Sequence, residues 1–261
     1  MPLFDGRLSR NHTVTVPAAT TEISSAKDFA AIAIRAQLTE NGAVKFAEGT
    51  VDFYAADTAL TLTQDINLTG TGITGFMRDN GTNQENEAFT DGNGFKGKLE
   101  GKKHAITLSI GESYGIRGIL GRNASSADEG SGQIYRHKNT GLFAVTAGAT
   151  IQNVNTKGTI TVDSAESGSS YCGALVAQNM GSSLTIKDCS TDVTITYAGN
   201  YTNNSKYYVG GLVGEITAGS ANDGKLTMTE NTISGAIVQH DCQWIETDKQ
   251  CDCKYGWNDW I

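Results

Sequence analysis

Three residues with side-chain oxygens fall in one column when the C-terminal part of the chain is aligned with itself: Asn153, Asp188 and Glu230. Stacked acidic groups on a β-solenoid suit general acid–base chemistry on a glycan. No aligned Lys or Arg accompanies the column to bind an acidic sugar. The competing interpretation is a row of turns whose polar side chains satisfy backbone groups. We favour the turns and predict no catalytic residue, with Asp188 and Glu230 as the alternative pair.

A second group of oxygen ligands lies in the polar, glycine-rich segment 78–94. Asp79, Glu85 and Asp91 are side chains that Ca²⁺ prefers. Their spacing matches neither an EF-hand nor the nonapeptide calcium repeat, and a solvated loop explains them as well. We therefore predict no metal and no cofactor, with these three residues as the Ca²⁺ candidates.

Five cysteines are disulfide candidates if the compartment is oxidising: Cys172, Cys189, Cys242, Cys251 and Cys253. The odd count leaves at least one of them unpaired within the chain. Cys172 and Cys189 are expected on adjacent strands, and Cys242 is expected to pair with Cys251 or Cys253. Small buried thiols are the alternative.

The aromatic residues of the C-terminal segment could bind a partner. All three tryptophans of the chain lie there, at Trp244, Trp257 and Trp260, together with Tyr255. Aromatic clusters anchor protein interfaces and sugar contacts. A cap that packs on the end of the core is the alternative, and one segment can do both. We therefore predict that residues 241–261 form a cap or an interface.

Three repeats position these groups, beginning at Gly141, Gly173 and Gly210. Their leucines, Leu142, Leu175 and Leu212, are 33 and 37 residues apart. Such a period is typical of a solenoid, in which each unit buries its apolar face against the next. Each repeat continues into a block that aligns without a gap over residues 149–162, 184–197 and 226–239. The inward columns are predicted to be Ala149/Leu184/Leu226, Ile151/Ile186/Met228 and Ile160/Ile195/Ile237, and the outward columns Thr159/Thr194/Ala236 and Thr161/Thr196/Val238. Three short strands per repeat, stacked in register, predict an all-β parallel β-helix.

The N-terminal part contains the clearest helical pattern. Apolar residues recur at three- and four-residue steps, which predicts a helix near 25–38, with Ser24 or Ser25 as its N-cap. Such a helix would cap the first coil of a β-helix over residues 22–240. Residues 1–21 are predicted to be an extended arm. Further strands are predicted at 51–54, 60–68 and 106–110 by apolar alternation.

Composition excludes several classes of function. The 261 residues include 31 Gly and 2 Pro, and the formal net charge is −8, which argues against nucleic acid and anionic lipid as partners. No apolar run is long enough to cross a bilayer, so we predict no membrane insertion. The first residues lack the apolar core of a secretory signal, so we expect either a removed signal or another export route.

The order of these motifs resembles the GLUG-repeat surface proteins of bacteria. The resemblance is carried by SSAKDFAAIA, LTLTQDINLTG, FKGKLEGKKHAITLSI and then GLFA, GALVA and GGLVG, and it spans roughly 23–239. Ala144 and Ala177 replace the last Gly of the motif, and segments 78–94 and 122–138 have no counterpart. The resemblance implies a right-handed parallel β-helix on large extracellular, adhesin-like proteins. It implies no catalytic residue set.

These observations predict an extracellular or cell-surface, non-enzymatic protein. It acts as an adhesin or as a self-assembling filament subunit, and its partner is another copy, a cell-surface glycan or a cell-surface protein. The alternative is a carbohydrate-active β-helix enzyme, a polysaccharide lyase or hydrolase, that uses Asp188 and Glu230.

Overall fold

The computed structural model describes residues 14–37, 44–49, 51–71, 73, 75–76, 94–110, 139–162, 168–180, 183–197, 205–217 and 225–239. Within these ranges the chain forms one helix and 19 strands, and every strand pair is parallel. The helix, α1, spans Ala26–Gln37, which confirms the predicted helix. A small sheet pairs β1 (Val14–Val16) with β3 (Val44–Phe46). The predicted arm therefore ends in a paired strand.

Four larger sheets hold the remaining strands. The six-stranded sheet contains, in spatial order, β2 (Glu22–Ile23), β4 (Ala59–Leu62), β6 (Lys98–Glu100), β10 (Thr150–Gln152), β14 (Leu184–Lys187) and β18 (Leu226–Thr229). The five-stranded sheet contains β5 (Ile66–Asn67), β7 (Ala105–Ile110), β11 (Asn155–Val162), β15 (Ser190–Tyr197) and β19 (Thr232–Gln239). Two three-stranded sheets contain β8 (Asn139–Thr140), β12 (Gly168–Gly173) and β16 (Ser205–Gly210), and β9 (Phe143–Thr146), β13 (Val176–Met180) and β17 (Val213–Thr217).

The successive sets β8–β11, β12–β15 and β16–β19 therefore each contribute four strands, one to each large sheet, where the sequence predicted three per repeat. The additional strand, β8, β12 or β16, lies on the N-terminal side of the Gly-Leu block and is separated from the next strand by a two-residue bend. The leucines in these bends, Leu142, Leu175 and Leu212, are buried. Glycine precedes the bend because there is no room for a side chain: a Cβ at Gly210 would collide with the carbonyl oxygen of Val213.

The predicted columns coincide with the register of the strands. Ile151 pairs with Ile186 and Ile186 with Met228; Ile160 pairs with Ile195 and Ile195 with Ile237. The members of β10, β11, β14 and β15 are fully buried, as predicted. The members of β18 and β19 are exposed, because these strands are the last in their sheets.

A capping box fixes the start of α1. The Ser25 hydroxyl accepts a hydrogen bond from the Asp28 amide at 3.2 Å, and the Asp28 carboxylate accepts hydrogen bonds from Ser24 and Ser25. Burial raises the pKa of Asp28, but these hydrogen bonds outweigh it and leave the pKa below its ordinary value. Ser25 is thus the N-cap that the sequence left open between two serines.

The helix contacts β1, β2 and β5, which are the first strands of their sheets. Phe29 of α1 stacks on Phe76 at 4.2 Å between ring centroids. Phe53, Phe95 and Phe143 extend this contact into one aromatic cluster. We call α1, β1, β2, β3, β5 and these five phenylalanines the helix end.

Two predicted strands are wrong in detail. Residues 51–54 form a turn that directs Phe53 into the core, where it is buried. The segment 60–68 divides into β4 and β5, which belong to different sheets, because a bend at residues 63–65 redirects the chain. The predicted strand at 106–110 is confirmed within β7.

Candidate interaction surface

The column of Asn153, Asp188 and Glu230 lies at a turn, as the favoured interpretation predicts. All three residues have left-handed backbone, with φ of 55°, 52° and 56°. Asn is among the residues that tolerate this conformation most easily, which explains its place in the column. The backbone amides of Asn153 and Asp188 donate to carbonyl oxygens one coil further on. The column therefore carries the chain around a corner between neighbouring sheets.

Basic side chains surround Asp188 that alignment of the repeats missed. The Lys187 ammonium lies 3.7 Å from the Asp188 carboxylate, and the Lys103 ammonium donates to the Asp188 carbonyl oxygen at 2.9 Å. These are single cations and not a column aligned with the acidic residues, because Lys187 pairs with Gln152 and Thr229 and Lys103 comes from an earlier, irregular turn outside the repeats. An exposed ion pair of this kind contributes little to stability.

Glu100 is the acidic group most enclosed by this corner. It accepts hydrogen bonds from the Gln152 and Asn153 side chains at 2.5 and 2.9 Å and from the Lys102 amide at 3.0 Å. Burial raises the pKa of Glu100, but these bonds and nearby Lys98 leave the pKa below its ordinary value. A lowered pKa keeps Glu100 ionised at neutral pH, which suits an acceptor that ties strands together and not a general acid.

A buried polar ladder connects the two three-stranded sheets. The Asn139 side-chain amide donates to Oε1 of Gln178 at 3.0 Å, and Nε2 of Gln178 donates in turn to the Glu215 carboxylate at 2.7 Å. A parallel contact joins the Thr146 hydroxyl to Asn179 at 2.8 Å. Alternation alone predicts that such polar strand residues face solvent, so no local sequence pattern indicates this ladder. Because its members bond to one another, their burial carries no large desolvation penalty.

The outer side of the five-stranded sheet presents hydroxyl groups in register. Thr159 pairs with Thr194 and Thr161 with Thr196 across β11 and β15. All four side chains are at least partly exposed, as predicted. We call these four residues the threonine face. Parallel strands lie about 4.8 Å apart, so the face is a regular array of hydrogen-bonding groups.

The last strand of each large sheet leaves core positions open to solvent. We call β16–β19 the open end. Met228, Ile233, Ile237 and Val238 are 42%, 57%, 51% and 41% exposed, whereas Ile186 and Ile195, one strand earlier in two of these columns, are 0% and 1% exposed. Tyr208, also at this end, stacks on Tyr171 at 5.1 Å. A cap over this end of the core was one alternative predicted for residues 241–261, whereas the pattern in β18 and β19 alone is that of a buried strand.

The two described cysteines are free and buried. Cys172 lies in β12, whose partners are β8 and β16, and Cys189 lies between β14 and β15. The prediction that they are neighbours on adjacent strands is wrong. Burial raises the pKa of the Cys172 thiol to about 12 and also raises the pKa of Cys189. Both thiols fit the alternative of small buried side chains.

Several predicted site residues lie outside the described residues: Asp79, Glu85, Asp91, Cys242, Trp244, Cys251, Cys253, Tyr255, Trp257 and Trp260. Among the residues that the structure describes, no cluster of His, Cys, Asp and Glu could hold a metal ion. In the same part of the chain, no helix has the length and apolarity needed to span a membrane.

Comparison with known proteins gives no relative. The chain matches no protein-family model, and no curated protein or solved structure resembles it significantly. The resemblance to GLUG-repeat proteins therefore stays a prediction.

Proposed function

We propose that the protein is a right-handed parallel β-helix that is displayed outside the cell and binds partners through its outer surface, as a cell-surface adhesin or as a self-assembling structural subunit. The architecture is supported by the pairing of corresponding strands from successive repeats in all four large sheets. The extracellular location rests on the resemblance of the motifs to surface proteins.

The observation that carries the binding role is the threonine face. Its hydroxyl groups lie in register on a regular sheet. Among the described residues, no cluster of His, Cys, Asp and Glu could hold a metal ion. Each hydroxyl can donate and accept, which suits the hydroxyl groups of a neutral glycan or the polar groups of a protein surface. An array of this kind binds a ligand through many weak hydrogen bonds and needs no cleft.

The helix end favours the adhesin over a filament built by stacking of coils. Stacking requires that the last coil of one copy meets the first coil of the next. The first strands, β1, β2 and β5, contact α1, which occupies that position. A filament would therefore need α1 to move or a lateral contact.

The test is binding to panels of immobilised neutral and acidic glycans and of cell-surface proteins. A double variant, Thr159→Val with Thr194→Val, removes two hydroxyls while keeping shape and strand propensity. We expect it to raise Kd about tenfold or more, since each lost hydrogen bond contributes about 0.5–1.5 kcal/mol. The matched control, Thr150→Val with Thr185→Val, makes the same change on the six-stranded sheet. Equal loss of binding affinity in both double variants, or no binding of the unaltered chain to either panel, would contradict the role of the threonine face.

The enzymatic alternative makes a different prediction. A polysaccharide lyase or hydrolase that uses Asp188 and Glu230 would release unsaturated products or reducing ends from the same glycans. We expect no release. Cleavage that disappears in Asp188→Asn, a variant compatible with the left-handed turn, would replace the proposed function by the enzyme.

A further inference from the structure

The exposed apolar side chains of the described residues are concentrated at one place. All large hydrophobic residues that are exposed there belong to the open end: Tyr208, Met228, Ile233, Ile237 and Val238. Three of them, Met228, Ile233 and Ile237, continue columns whose previous members are buried. Apolar patches of this kind mark interfaces on folded proteins.

The edge strand of this surface lacks the usual protection against pairing. Natural edge strands carry charges, prolines or bulges that prevent association with another chain. β19 is eight residues long and contains no charged residue and no proline. Its inner neighbours carry Lys157 and Asp192 in the column where β19 has Ser234. β19 thus lacks the charge that the two strands nearest to it carry in this column, and its outer edge has no partner among the described residues.

We propose that the open end is the interface of a closed dimer, in which β19 of one copy pairs antiparallel with β19 of a second copy. A twofold contact requires only the open end on both copies, whereas a head-to-tail contact would require the first strands that α1 contacts. A twofold axis through identical edge strands makes their pairing antiparallel.

Electrostatics permits this contact despite the net charge of −8. Over residues 226–239, Glu230 is the only charged residue. The strands β16 and β17 contribute one charge of each sign, Lys206 and Glu215, so few like charges meet when two copies join. The contact returns Ile233 and Ile237 to the buried state that their columns have in earlier strands. The proposal rests on the β-helix architecture proposed above but not on the binding role of the threonine face.

Light scattering after size-exclusion chromatography of the full chain, over a range of concentrations, tests the dimer. We expect the mass of two chains, and for Ile237→Lys the mass of one chain, with Kd raised about 100-fold or more because an unpaired charge would be buried. The matched control, Ser109→Lys, places the same charge on the exposed side of an interior strand and is expected to remain dimeric.

Hydrogen exchange keeps the test independent of how the variants fold. Amides of residues 232–239 in the unaltered chain should exchange more slowly at higher protein concentration, and those of β11 should not change. A chain that is monomeric at every concentration would overturn the dimer. The open end would then be either covered by residues 240–261 or uncovered. A dimer that Ile237→Lys leaves intact would also overturn it. Neither result would affect glycan binding by the threonine face, so the two proposals fail separately.

Discussion

The helix end and the open end begin and finish the same stack of strands, but they are built differently. At the helix end, α1 covers short first strands and five phenylalanines fill the space beneath it. At the open end, core columns run to the last strand and stay exposed. A repeated apolar column therefore contains no residue that ends the stack of strands. Only residues that break the repeat can end the stack, and the described ones do so at one end.

The largest effect should come from matched aromatic truncations at the two ends. Phe143→Ala removes a fully buried ring that contacts Phe53, Phe76 and Phe95, and should lower the free energy of unfolding by about 3–5 kcal/mol. Tyr208→Ala at the open end removes a 37% exposed ring and should lower it by about 1 kcal/mol. Chemical denaturation in dilute protein measures both. Equal losses would abolish the distinction between the ends.

A second pair of substitutions compares an inner and an outer position of one column. Ile160→Ala removes a 0% exposed side chain and should lower the free energy of unfolding by about 2–5 kcal/mol. Ile237→Ala changes the same position two strands further on, where the side chain is half exposed, and should cost about 1 kcal/mol or less. If thermal and chemical unfolding of monomeric protein show a larger loss of unfolding free energy for Ile237→Ala than for Ile160→Ala, another part of the chain covers the open end.

The N-cap provides a smaller test of the helix end. Ser25→Ala removes the acceptor for the Asp28 amide and should lower the free energy of unfolding by about 1 kcal/mol. The control, Ser109→Ala on an exposed strand position, should change it by less than about 0.5 kcal/mol. A loss at Ser25 no greater than at Ser109 would mean that the helix end does not depend on its cap.

The smallest predicted effect is a pH dependence from the same cap. Because the pKa of Asp28 is lowered in the folded protein, its carboxylate stabilises the fold above the ordinary pKa of 3.8, and this contribution disappears as the pH falls through the folded value. Asp28→Asn should therefore be less stable than the unaltered chain at pH 7, with the difference shrinking below pH 3.8. Lys27→Gln, which changes the same turn without touching the capping box, should give a constant difference. Denaturation from pH 7 to pH 2.5 measures both profiles.

The parts of the fold that the sequence predicted are those with periodic patterns. Columns such as Ile151–Ile186 and the amphipathic α1 are correct because each repeats at the spacing that its structure imposes. The fourth strand was missed because a bend at Leu175 is buried and carries no polar turn residue. The Arg35 guanidinium donates to the carbonyl oxygens of Pro17 and Ala47, the residues that follow β1 and β3, and no local pattern encodes such a contact.

The candidate site divides in the same way. The turn at Asn153, Asp188 and Glu230 was predictable, because a column of polar residues between two alternating apolar runs indicates a corner. Lys103 and the ladder from Asn139 to Glu215 were not, since these contacts join different turns and different sheets. The exposure of the open end does not follow from β18 and β19 alone, because it depends on which strand comes next, and the inward apolar positions of a last strand match those of an inner one.

The rate at which the buried thiol of Cys172 is alkylated measures local opening of the fold. Alkylating reagents react with the thiolate, and a pKa of about 12 leaves almost none at neutral pH while the fold is intact. Modification of Cys172 must therefore wait until β12 separates from its neighbours, and its rate reports how often that happens. Mass spectrometry of the labelled peptide would time this event in the unaltered chain.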